Sequence, residues 1–105
     1  MKLLKEMTWN LIWYAQWCRV GNLGSKSKIH PAANLGGYAK NIHIGGSTEI
    51  RANATLLCEN STSRIVIGDR AVINSYVMVL TYGGNISIGD CCNINPFTVL
   101  YVMED

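Results

Sequence analysis

Charge is sparse in this chain of 105 residues: nine basic and seven acidic residues leave a net charge of +2. The lysines and arginines are scattered, so neither a nucleic-acid surface nor an anionic-membrane patch is expected. Histidine is scarcer still, with only His30 and His43. The cysteines Cys18, Cys58, Cys91 and Cys92 show no C-x-x-C spacing and no matching histidines, which argues against a zinc site. An unpaired surface thiol suits a reducing compartment, and the cytoplasm is the expected location. No long unbroken apolar run exists either. Residues 1–20 come nearest, but Asn10 and Gln16 interrupt them and no small-residue cleavage site is present. The segment is too short and too broken to span a bilayer or to serve as a secretory signal, so membrane contact is not expected.

What the chain does have is a repeat. Ile44-Gly45-Gly46-Ser47-Thr48-Glu49-Ile50, Ile67-Gly68-Asp69-Arg70-Ala71-Val72-Ile73 and Ile88-Gly89-Asp90-Cys91-Cys92-Asn93-Ile94 superimpose in one register. Each opens on Ile, places Gly next and returns to Ile six residues later, and six further on stand Leu56, Val79 and Leu100. A period of six fits neither a helix nor a plain amphipathic strand. It fits a chain that turns a corner every six residues, with three sides to a coil of a parallel β-helix. Other columns agree. Ile42, Ile65 and Ile86 precede the opening isoleucines by two, and small residues follow by four: Thr48, Ala71 and Cys92, then Ala54, Val77 and Thr98 on the next side. Residues two apart in a strand share a face, so these columns point inward while His43, Val66 and Ser87 stack outward.

The opening isoleucines Ile44, Ile67 and Ile88 stand 23 and 21 residues apart, and three hexapeptides use only 18 of them. The surplus falls in Glu59-Asn60-Ser61-Thr62-Ser63-Arg64 and in Tyr82-Gly83-Gly84-Asn85, both polar and turn-prone. Stacked at one corner, these loops form a ridge. Insertions collected on one edge of a repeat protein either line a binding edge or take up slack in the turn.

Ahead of the repeat, residues 1–20 follow a helical rule. Leu3, Leu4, Met7, Leu11, Tyr14, Ala15 and Cys18 recur at steps of three or four, and Trp9, Ile12, Trp13 and Trp17 widen the apolar face. An α-helix that caps the first coil or packs into a neighbouring subunit is the expectation. Residues 21–28, Gly-Asn-Leu-Gly-Ser-Lys-Ser-Lys, read as a flexible linker. The β-helix is then expected over residues 29–105, beginning with an irregular coil at Ile29-His30-Pro31-Ala32-Ala33-Asn34-Leu35. The fold expected is all-β, about four coils behind one N-terminal α-helix.

The phrases Ile-Gly-Asp and Ile-Asn, with Ile-His-Pro-Ala upstream, resemble the hexapeptide-repeat acyltransferases over residues 29–101. Ile94-Asn95-Pro96-Phe97-Thr98-Val99-Leu100-Tyr101 is most similar to the sugar O-acetyltransferases of polysaccharide biosynthesis. The resemblance implies a left-handed coil, a homotrimer, acetyl-CoA between neighbouring prisms and a histidine that deprotonates a hydroxyl. Of the two histidines only His43, between the inward Ile42 and Ile44, projects outward, and it becomes the candidate catalytic base. His30, before Pro31, is restricted to extended backbone at a turn and reads as structural. Asp69 and Asp90 read as turn residues, and Gly83-Gly84 as a turn first and a ligand contact second. Two histidines cannot make the three-histidine zinc site of a β-helical carbonic anhydrase, and the threonines form no ice-binding array.

In that family the segment similar to Tyr101 continues into a glycine- and histidine-containing loop and more coils, whereas here Val102-Met103-Glu104-Asp105 follows. Two functions are therefore carried forward. One is a shortened, catalytically inactive relative that acts through assembly or binding, with no certain cofactor. The other is a minimal acetyl-CoA-dependent O-acetyltransferase whose site is completed between subunits. Either is expected to be a homo-oligomer, most simply a trimer, because strand edges and the apolar Phe97, Val99 and Tyr101 would otherwise stand open.

Overall fold

The computed structural model describes residues 19–103 as a parallel β-solenoid of four coils. The first coil contains β1 (Asn22–Leu23), β2 (Lys28–Ile29) and β3 (Asn34–Gly37). A 3-10 turn, Ala39–Asn41, leads to β4 (Ile42–Ile44), β5 (Glu49–Ile50) and β6 (Thr55–Cys58). The third coil holds β7 (Arg64–Ile67), β8 (Val72–Ile73) and β9 (Met78–Tyr82), and the fourth β10 (Asn85–Ile88), β11 (Asn93–Ile94) and β12 (Val99–Met103). Like sides stack into three four-stranded parallel sheets, β1-β4-β7-β10, β2-β5-β8-β11 and β3-β6-β9-β12. Among the described residues no helix is long and apolar enough to cross a membrane.

The register is the one the columns dictate. Ile42 pairs with Ile65 and Ile65 with Ile86; Ile50 pairs with Ile73 and Ile73 with Ile94. Leu56, Val79 and Leu100 align down the third sheet. Every one of Ile42, Ile44, Ile50, Leu56, Ile65, Ile67, Ile73 and Val79 is buried, with Ala54, Ala71 and Val77 filling the spaces between them. Each large aliphatic so placed contributes roughly 1.5–3 kcal/mol of burial. Ile86, Ile94 and Leu100 also pack on this core but are only partly buried, because among the described residues no coil lies beyond the fourth. Thr48 belongs in the interior column because its hydroxyl is satisfied there: Oγ1 donates to Gly68 O at 2.6 Å and accepts from Ala71 N at 3.2 Å.

The Ile-Gly-Asp phrase has a mechanical explanation. Asp90 Oδ1 accepts the Asp69 amide at 2.7 Å, and Asp69 Oδ1 accepts the Gly46 amide at 2.8 Å. Each aspartate thus reaches back one coil. Glycine leaves room for it: a Cβ on Gly68 would sit 2.2 Å from Asp90 Oδ1. Two of the three corners take their left-handed backbone at residues other than glycine. Lys26, Ser47, Arg70 and Cys91 form one such corner, with φ of 64°, 55°, 56° and 58°. Asn53, Tyr76 and Phe97 form the next, with φ of 65°, 63° and 66°. Such backbone costs on the order of 1–2 kcal/mol per residue with a Cβ. At the second corner the stacked rings of Tyr76 and Phe97, 5.3 Å apart and 2° from parallel, offset about 0.5–1.5 kcal/mol of it.

One sequence expectation is changed, and another lies outside the described residues. Residues 21–28 are not a linker; they carry β1 and the start of β2, and the first coil begins there rather than at Ile29. Gly21 N donates to Ile42 O at 2.9 Å, Gly24 N to Ile44 O at 2.8 Å and Lys28 N to Thr48 O at 2.9 Å. The glycines mark close approach, not flexibility, since a Cβ on Gly24 would lie 2.4 Å from Gly45 C. The expected N-terminal α-helix lies almost wholly outside the described residues. Of that segment, Val20 is buried in the core and the Arg19 guanidinium donates to Leu35 O.

Ile73 is wholly buried at the centre of the second sheet, so Ile73→Asp places an unpaired carboxylate in an apolar interior. The expected result is loss of the cooperative thermal transition seen by circular dichroism. A soluble variant with unchanged melting would show the register to be wrong.

Candidate functional site

The corner between the third and first sides is the one that absorbs extra residues. Tyr38 to Asn41, Glu59 to Ser63 and Gly83-Gly84 all turn there, so the ridge expected from the spacing is present. Beside it runs the outer surface of the first sheet. Side chains alternate along each strand, and β7 places Arg64 and Val66 outward around a buried Ile65. Arg64 pairs with Asn85, and Val66 with His43 on one side and Ser87 on the other. Asn41 immediately precedes β4 and stands beside Arg64. Ridge and sheet together enclose an open groove of about 520 Å³ lined by Asn41, His43, Ser61, Thr62, Ser63, Arg64 and Asn85.

The wall of this groove is tied down rather than slack. Asn60 Oδ1 accepts from Thr62 N at 3.1 Å and from Thr62 Oγ1 at 2.7 Å, an Asx-type turn. Ser63 is fully buried. Its Oγ accepts Gly83 N at 2.8 Å and lies 3.1 Å from both Asn60 Oδ1 and Thr81 O, the acceptors open to its single proton. Asn41 Nδ2 donates to Ser61 O at 3.2 Å and Ser63 O at 2.9 Å, fastening the wall to the coil above. Gly83, with φ of 100°, serves the same corner as a turn residue.

His43 lies half-buried on the groove floor, close over Gly21, where an added Cβ would come within 3.0 Å of His43 Cε1. Among the described residues no carboxylate lines the groove and no hydrogen bond orients the imidazole. A histidine so placed can meet a bound hydroxyl, but among the described residues it lacks the second group that usually fixes a general base. The other candidates lie elsewhere. His30 Nδ1 accepts Ala32 N at 2.9 Å in its turn, and Asp69 and Asp90 are occupied by backbone amides. Cys58 is buried and Cys91 exposed; burial pushes the Cys58 thiol up and keeps it protonated. Arg64, Asn41 and Asn85 were not singled out from sequence. The signal for them was there, because the pairs 41/43, 64/66 and 85/87 repeat the same outward alternation at the coil spacing.

A second surface adjoins the ridge. The outer face of the third sheet carries Met78, Val99, Tyr101 and Met103, each exposed, with Phe97 at 76% exposure on its border. Tyr82 and Tyr101 meet at 5.2 Å between centroids, and the Tyr76–Phe97 stack extends the patch round the corner. Contiguous apolar surface of this kind marks an interaction face more often than a solvated one.

Asn41→Ala removes the two bonds by which Asn41 fastens the groove wall, at a cost of about 1–2 kcal/mol. Amide hydrogen exchange over residues 60–64 is expected to quicken at least fivefold while exchange in β8 is unchanged. Equal exchange in both variants would mean the wall holds itself.

Comparison of the chain with protein-family models, with curated proteins and with solved structures yields no match.

Proposed function

We propose that this protein is a hexapeptide-repeat module with a left-handed coil, akin to the acyltransferases its sequence resembles, that works through assembly and ligand binding. The observation that carries this reading is the apolar outer face of the third sheet. Met78, Val99, Tyr101 and Met103 are 40% to 59% exposed there. Burial of side chains of this size contributes roughly 1.5–3 kcal/mol each when complete. A closed homo-oligomer repeats that gain in every subunit, and the trimer is the form the resemblance favours. The groove beside His43 opens at the edge of this same face, so a neighbouring subunit would border it. The free thiols at Cys58, Cys91 and Cys92 are consistent with a cytoplasmic setting.

The second reading is a minimal acetyl-CoA-dependent O-acetyltransferase with a site completed between subunits. What favours it is His43, the histidine on the groove floor, whose imidazole is free to meet an acceptor hydroxyl. What weighs against it is the missing orienting group.

Light scattering at micromolar concentration is expected to give a multiple of 11.6 kDa. Tyr101→Lys with Val99→Lys, placed on the exposed face, should return the mass to that of one chain without loss of β structure. A single-chain mass for the unaltered protein would end the assembly proposal. For catalysis, acetyl-CoA with simple sugars is expected to release no thiol above background. Turnover that disappears in His43→Ala would instead establish the transferase reading. A thermal shift with acetyl-CoA alone would also favour it, at about 2.7 kcal/mol for ligand at 100 times its Kd.

A further inference from the structure

We infer that the groove beside His43 is built for a phosphorylated polyol, with Arg64 as the anchor for the phosphate. This rests on the ligand-binding part of the function proposed above and narrows it. The case begins with an unused charge. Arg64 is exposed, while the ion pair seen among the described residues joins Arg51 to Glu49 at 3.5 Å, away from the groove. Among the described residues no aspartate or glutamate lines the groove. A guanidinium that faces a cavity with no carboxylate to meet it leaves its planar donor fork open to an incoming anion.

The backbone beneath Arg64 is fixed. Its amide donates to Gly84 O at 3.1 Å, and Ile65 next to it is wholly buried. The charge is therefore presented from a rigid strand and not from the loop. Its neighbours are polar side chains. Asn85 lies beside Arg64 in register on the next coil, and His43 lies diagonally across on the previous one. With strands about 4.8 Å apart and about 3.3 Å per residue, His43 and Arg64 are roughly 8 Å apart at their Cα atoms. That distance leaves a phosphate on Arg64 and its attached hydroxyls over His43 and Ser61. Asn41 is already committed to the wall, so it positions the loop instead of the ligand. The cavity, about 520 Å³, falls in the range of small-ligand sites and is open enough to admit a monosaccharide phosphate.

The test uses the full chain, labelled with nitrogen-15, at constant ionic strength. Inorganic phosphate, glucose and glucose 6-phosphate are titrated separately, and amide and side-chain signals are followed. Phosphate is expected to give saturable shifts confined to Arg64, Asn85, His43 and the loop at residues 61–63. Glucose 6-phosphate should bind at least tenfold more tightly than glucose. Arg64→Gln should abolish that preference while its melting temperature stays unchanged, since the side chain is exposed, and Arg64→Lys should keep part of it. Shifts that do not saturate, or that survive Arg64→Gln, overturn the inference. If glucose shifts the groove signals and phosphate does not, the anion anchor is wrong but the ligand site stands. If none of the three probes moves the groove, both this inference and the ligand-binding part of the proposed function fall, while assembly is judged by scattering alone.

Discussion

Stacking in register is the constraint on which everything else in this molecule depends. Each residue of one coil lies directly against its counterpart in the coils above and below, about 4.8 Å away. A column therefore has to hold residues that tolerate one another at that spacing. Isoleucine over isoleucine satisfies this on the inside of the first and second sheets. Aspartate beside glycine satisfies it at the first corner, where the carboxylate takes an amide of the preceding coil. A slip of one residue would turn every inward side chain outward. Extra residues can enter only where a side begins or ends, and here they enter at a single corner.

From that restriction the two surfaces of interest follow. Loops confined to one corner pile into a ridge, and the first-sheet residues beside the ridge become a floor. The wall is made by Asn60, Ser63 and Asn41, whose hydrogen bonds consume the polar groups that would otherwise compete for a ligand. What remains open on the floor is the polar set of His43, Arg64 and Asn85. The third sheet shows the opposite chemistry. Its outward columns pass from Asn34 and Thr55 to Met78 and Val99, and from Gly36 and Leu57 to Leu80 and Tyr101. The face thus grows more apolar from the first coil to the fourth. One prism presents a polar groove and an apolar face on either side of the same edge.

Much of the fold could be read from sequence because column identity is a long-range signal written at a fixed interval. Ile42, Ile50, Leu56 and their counterparts were assigned inward, and they are inward. The outward stack of His43, Val66 and Ser87 was legible for the same reason. Residues 21–28 misled because glycine has two uses. Its flexibility and its small size leave the same letter in the sequence, and only the contact between Gly24 and Gly45 tells them apart. The left-handed corners at Tyr76 and Phe97 were hidden too, since bulky rings are poor advertisements for positive φ and the stack that compensates spans two coils. Of the site, His43 and the loop ridge were visible separately. Their meeting in one groove was not, because it depends on how Asn41 draws the loop of the next coil toward the sheet.

The backward reach of the aspartates gives the molecule a direction. Asp69 serves Gly46, and Asp90 serves Asp69, so the third and fourth coils each close a polar group belonging to the coil before. A growing chain that has laid down one turn holds an unanswered amide at its corner until the following turn arrives. Docking of the third turn and then the fourth is thereby rewarded locally, in the order in which the residues leave the ribosome. Because the bond joins adjacent turns only, a copy of one turn inserted between two others would find its amide and its aspartate both matched, and the prism could be lengthened by whole turns without redesigning its ends.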